Sequence, residues 1–214
     1  FVLAKTEPIG AVTHAVDRGI LTSLSRVVSQ VTADLEGYNY TRALERTESF
    51  FWLFCDNYLE LVKARRYGDH GEAGAASANR ALVTSLSVLL RLLAPFLPFA
   101  AEEAWSWWQA GSVHRAAWPT SQELRAVLGA DDERDVVSLD LAVHVLGEVR
   151  KKKSEEQRPM KTAARRVLVR DHADRIERLE QARRDLMAAG LIGLLETSEG
   201  DPAVEVDLAE VGAD

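Results

Sequence analysis

Residues 82–99 read Leu-Val-Thr-Ser-Leu-Ser-Val-Leu-Leu-Arg-Leu-Leu-Ala-Pro-Phe-Leu-Pro-Phe. Leu82, Leu86, Leu89, Leu90 and Leu93 recur at steps of three and four, the period of a helix with one apolar face. Pro95 and Pro98 lack backbone donors and disfavour helix in the residue before each, so the helix stops ahead of them. The uncharged run from Leu92 to Ala101 is ten residues long, too short to cross a bilayer. The stretch is therefore a core helix that other helices must cover, and the rest of the sequence supplies them.

Upstream, a Gly-rich interval from Gly68 to Gly74 forms a turn, which starts the core helix at about Ala75. Before it, Leu44, Phe50, Phe51, Phe54, Tyr58, Leu61 and Val62 predict a long aromatic helix from about Thr41 to Tyr67. Earlier still, Ile20, Leu24, Val27, Val28, Val31 and Leu35 predict a helix over 16–35 that Gly37 ends, with Asn39 or Thr41 capping the next. Downstream, a short helix from Phe99 to Gln109 carries Trp105 and Trp108, and Gly111 closes it. A connector follows to Asp135. Ser138–Arg150 then reads as helix, and Arg166–Arg170 as a strand with Val167 and Val169 inward. A helix capped by Asp171 runs to Ala189 and is stopped by Gly190, and strands at 191–197 and 204–208 complete the chain. The predicted fold is mainly α, a helical bundle over residues 1–134 followed by a small α/β subdomain over 135–214.

The chain has 214 residues, 47% of them hydrophobic and 28% charged, with a net charge of −7. That composition excludes disorder and allows a substantial core. A single cysteine, Cys55, excludes an internal disulfide, and five scattered histidines offer no zinc-ligand spacing. No signal peptide is visible, and a reducing, cytoplasmic setting fits. The sequence opens at Phe1 without a methionine and is expected to belong to something longer. The charge is unevenly placed: residues 150–170 hold nine lysines and arginines against Glu155 and Glu156, a window of +7 in a chain of −7. A basic window on an acidic body suggests local contact with an anion such as phosphate, or else a solvated loop and helix end.

Catalytic signatures are absent: there is no G-x-x-x-x-G-K-[ST], no G-x-G-x-x-G after a strand and no H-E-x-x-H. Cys55 falls on the apolar side of its helix and reads as a structural thiol. In the cluster Phe50, Phe51, Trp52 and Phe54, the helical period puts Phe50 and Phe54 on one side and Trp52 away from them. Asp56 and Glu60, with Lys63 and Arg66 one or two turns on, form either an intrahelical ion-pair ladder or a polar strip that hydrogen-bonds a ligand. Spacing alone leaves both open.

Phe54-Cys55-Asp56-Asn57-Tyr58-Leu59-Glu60-Leu61-Val62-Lys63 is followed, some thirty residues on, by Leu89-Leu90-Arg91-Leu92-Leu93-Ala94-Pro95-Phe96-Leu97-Pro98-Phe99, then by Glu102-Glu103 and Trp105. This pairing resembles the helical anticodon-binding domain of class I aminoacyl-tRNA synthetases of the valyl, isoleucyl and leucyl group. The Cys-Asp-x-Tyr-Leu-Glu core, and Gly111-Ser112-Val113-His114-Arg115 leading to Trp118-Pro119, are similar to the valyl branch. The segment from Val149-Arg150-Lys151 to Lys161 resembles the basic helix and loop that precede the family's small α/β subdomain. The resemblance covers nearly the whole chain.

The resemblance implies part of a cytoplasmic, monomeric ligase that charges valine onto its tRNA with ATP and Mg and has a separate editing domain. The His-Ile-Gly-His and Lys-Met-Ser-Lys-Ser motifs of catalysis are missing, so no catalytic residue, cofactor or metal is expected within this sequence. The expected partner is the anticodon stem-loop of a tRNA, with no membrane. Its unstacked bases offer π-faces and hydrogen-bonding edges, and its phosphates need cations. Asp56, Asn57, Lys63 and Arg66 would supply base-edge contacts and charge, Phe1 and Leu59 would give bases apolar surfaces, and Arg150, Lys151, Lys152 and Lys153 would hold phosphates. The competing readings are the isoleucyl counterpart and a helical protein-interaction module. A small-molecule enzyme lacks a convergent polar cluster.

Overall fold

The computed structural model describes residues 10–129 and 133–210. Helix α1 (Ala15–Glu36) buries Val16, Ile20, Leu24, Val28 and Val31 on the predicted face, and the Gly37 N–H donates to the Ala33 carbonyl to close it. Helix α2 (Tyr40–Trp52) continues unbroken through a π-helical turn (Leu53–Tyr58) into α3 (Leu59–Arg66). The predicted single helix is thus present, but with one wide turn, in which the Leu59 N–H reaches back to the Phe54 carbonyl. An α-helix drifts by about 40° for every four-residue step. The wider turn takes that drift back, so Phe50, Phe54 and Tyr58 all stay buried, with the rings of Phe54 and Tyr58 stacked 5.7 Å apart.

Helix α4 (Gly71–Leu93) begins a turn earlier than expected and ends where the prolines dictate. Its leucines divide between two cores. Leu82, Leu89 and Leu92 enter the main one, whereas Leu90 joins a small cluster with Ala94, Ala101, Trp105 and Val113. Leu86 and Leu93 are half-buried. That small cluster sits under α5 (Pro98–Ser106), which starts on a proline whose missing N–H costs nothing at a first helical position. Glu102 accepts from the Ser112 hydroxyl and the Val113 N–H, both at 2.9 Å, pinning the following 3₁₀ turn, Val113–Arg115. The connector also contains α6 (Ser121–Leu128), capped by Thr120, whose hydroxyl accepts from the Glu123 N–H.

Helix α7 (Glu133–Glu155) is longer than predicted at both ends and packs on α1 as well as on the C-terminal elements. It crosses α1 so closely at Gly19 that a Cβ there would lie 2.4 Å from the Asp135 carbonyl oxygen. Strand β1 (Ala164–Asp171) lies between β2 (Ile192–Glu199), parallel to it, and β3 (Ala203–Leu208), antiparallel. Val167 pairs with Leu195 on one side and with Val206 on the other. The parallel pair requires a crossover. The single helix predicted there is two, α8 (Ala173–Glu180) and α9 (Arg183–Gly190), separated at Gln181 and Ala182. Asp171 is the last residue of β1 rather than a helix cap. Its carboxylate instead accepts from the His172 N–H and from Arg175, both at 2.8 Å. One apolar core runs from α1 and α4 through α7 to Val167, Leu179 and Leu186, continuous across residue 134. Among the described residues no helix is long and apolar enough to cross a membrane.

Leu82→Ala is expected to cost about 2–5 kcal/mol in a urea melt, and Leu93→Ala distinctly less. Gly19→Ala should also destabilise, because the atom it meets is backbone rather than a movable side chain.

Candidate nucleic-acid interface

The elements that carry the sequence-predicted site are held by a buried ion cluster. Arg65, completely buried, donates through Nη1 and Nη2 to both oxygens of Asp17 (2.5 and 2.8 Å) and through Nε and Nη2 to Asp185 (2.9 Å each). Asp17 also accepts from the Tyr58 hydroxyl (2.7 Å) and the Ser77 hydroxyl (2.5 Å). Ser77 in turn accepts from the backbone N–H groups of Thr13 and His14. Burial works against the guanidinium charge, but the two carboxylates outweigh it and hold Arg65 firmly protonated. Burial, reinforced by Asp17, pushes the Tyr58 phenol well above its ordinary value. The cluster joins α1, the π turn, α3, α4 and α9. Sequence reasoning missed Arg65. Its only signal is a charged residue four positions after Leu61, on the apolar side of the helix.

On this support the π turn presents Asp56 at the surface, with Asn57 and Leu59 half-buried. Lys63 is exposed and pairs with Glu60 at 3.2 Å, so this part of the predicted ladder exists. Arg66 departs from the expected strip. It is 6% exposed, donates to the Asn79 side chain at 3.2 Å and lies 5.7 Å over the Tyr67 ring. It faces α4, because a residue one turn after Val62 shares the inward face. Phe1 lies outside the described residues.

The basic window divides in four. Arg150, on α7, reaches across to the π turn, where it donates to the Asn57 side-chain oxygen (3.0 Å) and to the Asp56 carbonyl (2.9 Å). Two patches far apart in sequence therefore meet. Lys151 and Lys152 stand at the surface beside Glu148 (3.4 Å) and Glu156 (2.9 Å). Lys153 is corrected from a surface cation to a buried one, 2% exposed. It follows Val149 by one turn and so points inward, donating to the carbonyls of Gly190 (3.0 Å) and Met160 (3.1 Å). Burial, and then the neighbouring Arg150, lower its pKa. Of the rest, Arg158 donates to the Ala209 carbonyl at 2.8 Å, and the three arginines of β1 meet carboxylates of the sheet. Arg166 pairs with Glu196 and Asp207, Arg170 with Glu205, and Arg165 lies 4.0 Å from Asp207. Neutralisation follows from topology, since β1 is the central strand and both neighbours carry carboxylates.

The other candidates are structural. Cys55 is half-buried against the core, and burial followed by Asp56 pushes its thiol up, away from the reactive thiolate. Trp105 is buried and Trp118 donates to Thr32 at 2.9 Å, whereas Trp52 and Trp107 are exposed. No group of three or more metal-ligating side chains occurs among the described residues.

The sequence pattern of the family described as "Anticodon-binding domain of tRNA ligase" matches residues 17–168. The chain is 48% identical over 202 residues to the valine–tRNA ligase of Thermobifida fusca, covering 93% of this chain and 22% of that protein. It is 44% identical over 201 residues to that of Salinispora tropica, covering 89% and 23%, and 40% identical over 223 residues to one from Bifidobacterium longum, covering 94% and 24%. The chain thus spans less than a quarter of the length of these relatives.

Arg65→Met is expected to cost about 3–5 kcal/mol, because it strands Asp17 and Asp185 as buried charges without their partner. A denaturant melt beside that of Arg46→Met, a half-exposed arginine on α2, measures the difference.

Proposed function

Because the chain belongs to the anticodon-binding domain family of tRNA ligases, we propose that it docks on the anticodon stem-loop of a valine-accepting tRNA as part of a valine–tRNA ligase. The observation that carries this reading is the reach of Arg150 from the basic window to the Asp56–Asn57 turn, which puts cations and base-edge groups on one surface. With the Asn57 side-chain oxygen engaged by Arg150, its amide N–H groups serve a base edge, and the Asp56 carboxylate accepts from exocyclic amines. Leu59 gives a base an apolar contact, and Lys63 lies one turn further along α3, beside Glu60. Lys151 and Lys152 hold phosphates, which position the loop without reading its sequence. The acidic remainder of the chain disfavours indiscriminate RNA binding.

The relatives named above are valine–tRNA ligases, which favours the valyl branch over the isoleucyl one. The charging step, with its ATP and Mg, belongs on this reading to the catalytic part of a cytoplasmic, monomeric enzyme. The protein-interaction reading would use the exposed Leu97, Phe99 and Trp107 at α5, away from the Arg150 contact.

The purified 214-residue chain should show no valine-dependent ATP–pyrophosphate exchange. Asn57→Ala should weaken binding of the valine-acceptor stem-loop by about 1–3 kcal/mol, and much less for a loop of altered sequence. Lys151→Ala with Lys152→Ala should weaken both loops alike and flatten the salt dependence by about one unit per lost phosphate contact. Titrations at two salt concentrations separate the two patterns. Wild-type affinity of both variants on both loops would transfer the RNA contact elsewhere.

A further inference from the structure

Beside the Asp56–Asn57 turn, on the other side of Arg150, α3, α7 and α9 enclose a cleft of about 480 Å³. Its walls are apolar, formed by Leu146, Val149, Ala188 and Leu191, with Met160 at the edge, while Arg150 and Lys153 supply cations and Lys63 enters paired with Glu60. Among the described residues, Arg150 and Lys153 have no carboxylate partner. Arg150 is bonded to an amide oxygen and a carbonyl, and Lys153 to two carbonyls that take two of its three N–H donors. A buried ammonium without a counter-ion is costly unless an anion or strong acceptor completes it. Two apolar residues remain uncovered at the same place, Leu191 at 46% and Met160 at 54% exposure. Leu191 also has φ 53°, a left-handed conformation that favours glycine. Glycine would have served the turn, yet the position presents a leucine to the cleft.

We propose that this cleft takes one unpaired nucleotide of the bound RNA, its base against Leu191, Met160 and Ala188 and its electronegative edge or phosphate at Lys153 and Arg150. The charges exclude a purely apolar guest, and the walls exclude a bare phosphate, which would leave them wet. A splayed nucleotide matches both. The inference rests on the RNA-binding reading and adds to it a specific role for the C-terminal part: α9 and the turn at Met160 complete a site that the bundle alone only half forms.

The test is a cycle between protein and RNA, with an anticodon stem-loop in which each loop nucleotide in turn is made abasic. Ala188→Phe fills the cleft and removes no charge. Wild-type protein should lose roughly fivefold to a hundredfold in affinity at one abasic position, the range for loss of a stacked base. Ala188→Phe should show a loss of that size on the intact loop and none further at that position. The Lys151→Ala, Lys152→Ala variant should keep the full abasic penalty. Where thermal unfolding shows that Ala188→Phe does not fold, Met160→Ala replaces it, with a smaller loss confined to the same position. If the cleft variant binds the intact loop as tightly as wild type, or its loss adds to the abasic loss at every position, the inference is overturned. A concurrent loss in the lysine variant would then leave the RNA-binding reading standing. If neither variant affects binding, the cleft inference falls together with the placement of phosphates at Lys151 and Lys152.

Discussion

Everything that presents the surface depends on one guanidinium. Arg65 spends its forked donors on two carboxylates that come from opposite ends of the chain, Asp17 and Asp185. A buried ion pair is weak evidence for stability, since desolvation consumes much of the Coulomb gain. Its consequence here is orientation. A planar fork bonded to two carboxylates tolerates little rotation of α3 against α1 or α9. Tyr58 and Ser77 complete the ring of donors around Asp17, so the π turn and α4 are fixed by the same few atoms.

The second constraint is α7, which the bundle and the sheet share. Its earlier turns cross α1 at Gly19, and its last turn is tied by Lys153 to the carbonyl end of α9. Cations near a helix C-terminus interact favourably with its exposed carbonyls. One helical turn thus does two jobs. Arg150 faces the π turn, and three residues later Lys153 faces the C-terminal part, which makes the cleft a property of the assembled chain rather than of either half.

The position of the π turn also connects fold to surface. Without it, the helix would rotate Tyr58 away from Asp17 as the four-residue steps accumulate. With it, Phe54 and Tyr58 remain in the core while Asp56 and Asn57 are pushed outward on the wide turn. π turns recur at functional sites, and here the residues on the turn are those that Arg150 meets.

Helix order, the two proline stops and the alternating strands were legible in the residues alone, because apolar periodicity and missing N–H donors are local properties. So was the outward direction of Trp52, and so was the family, carried by the segments around Cys55 and Pro95. The surface position of Asp56 and Lys63 was legible as well, whereas Asn57 is half-buried between them. Arg66 and Lys153 were misread as surface cations, and Arg65 was not recognised as the centre of the fold. Nothing along the chain distinguishes a lysine that meets solvent, such as Lys152, from its neighbour that meets the Gly190 carbonyl. The window of positive charge was real as a sum but not as a patch, because Glu196, Glu205 and Asp207 arrive beside it only when the sheet forms. Periodicity places a side chain on a face of its own element. What packs against that face, and therefore whether a charge stays free, is decided by contacts between residues distant in sequence, and only the tertiary structure supplies those.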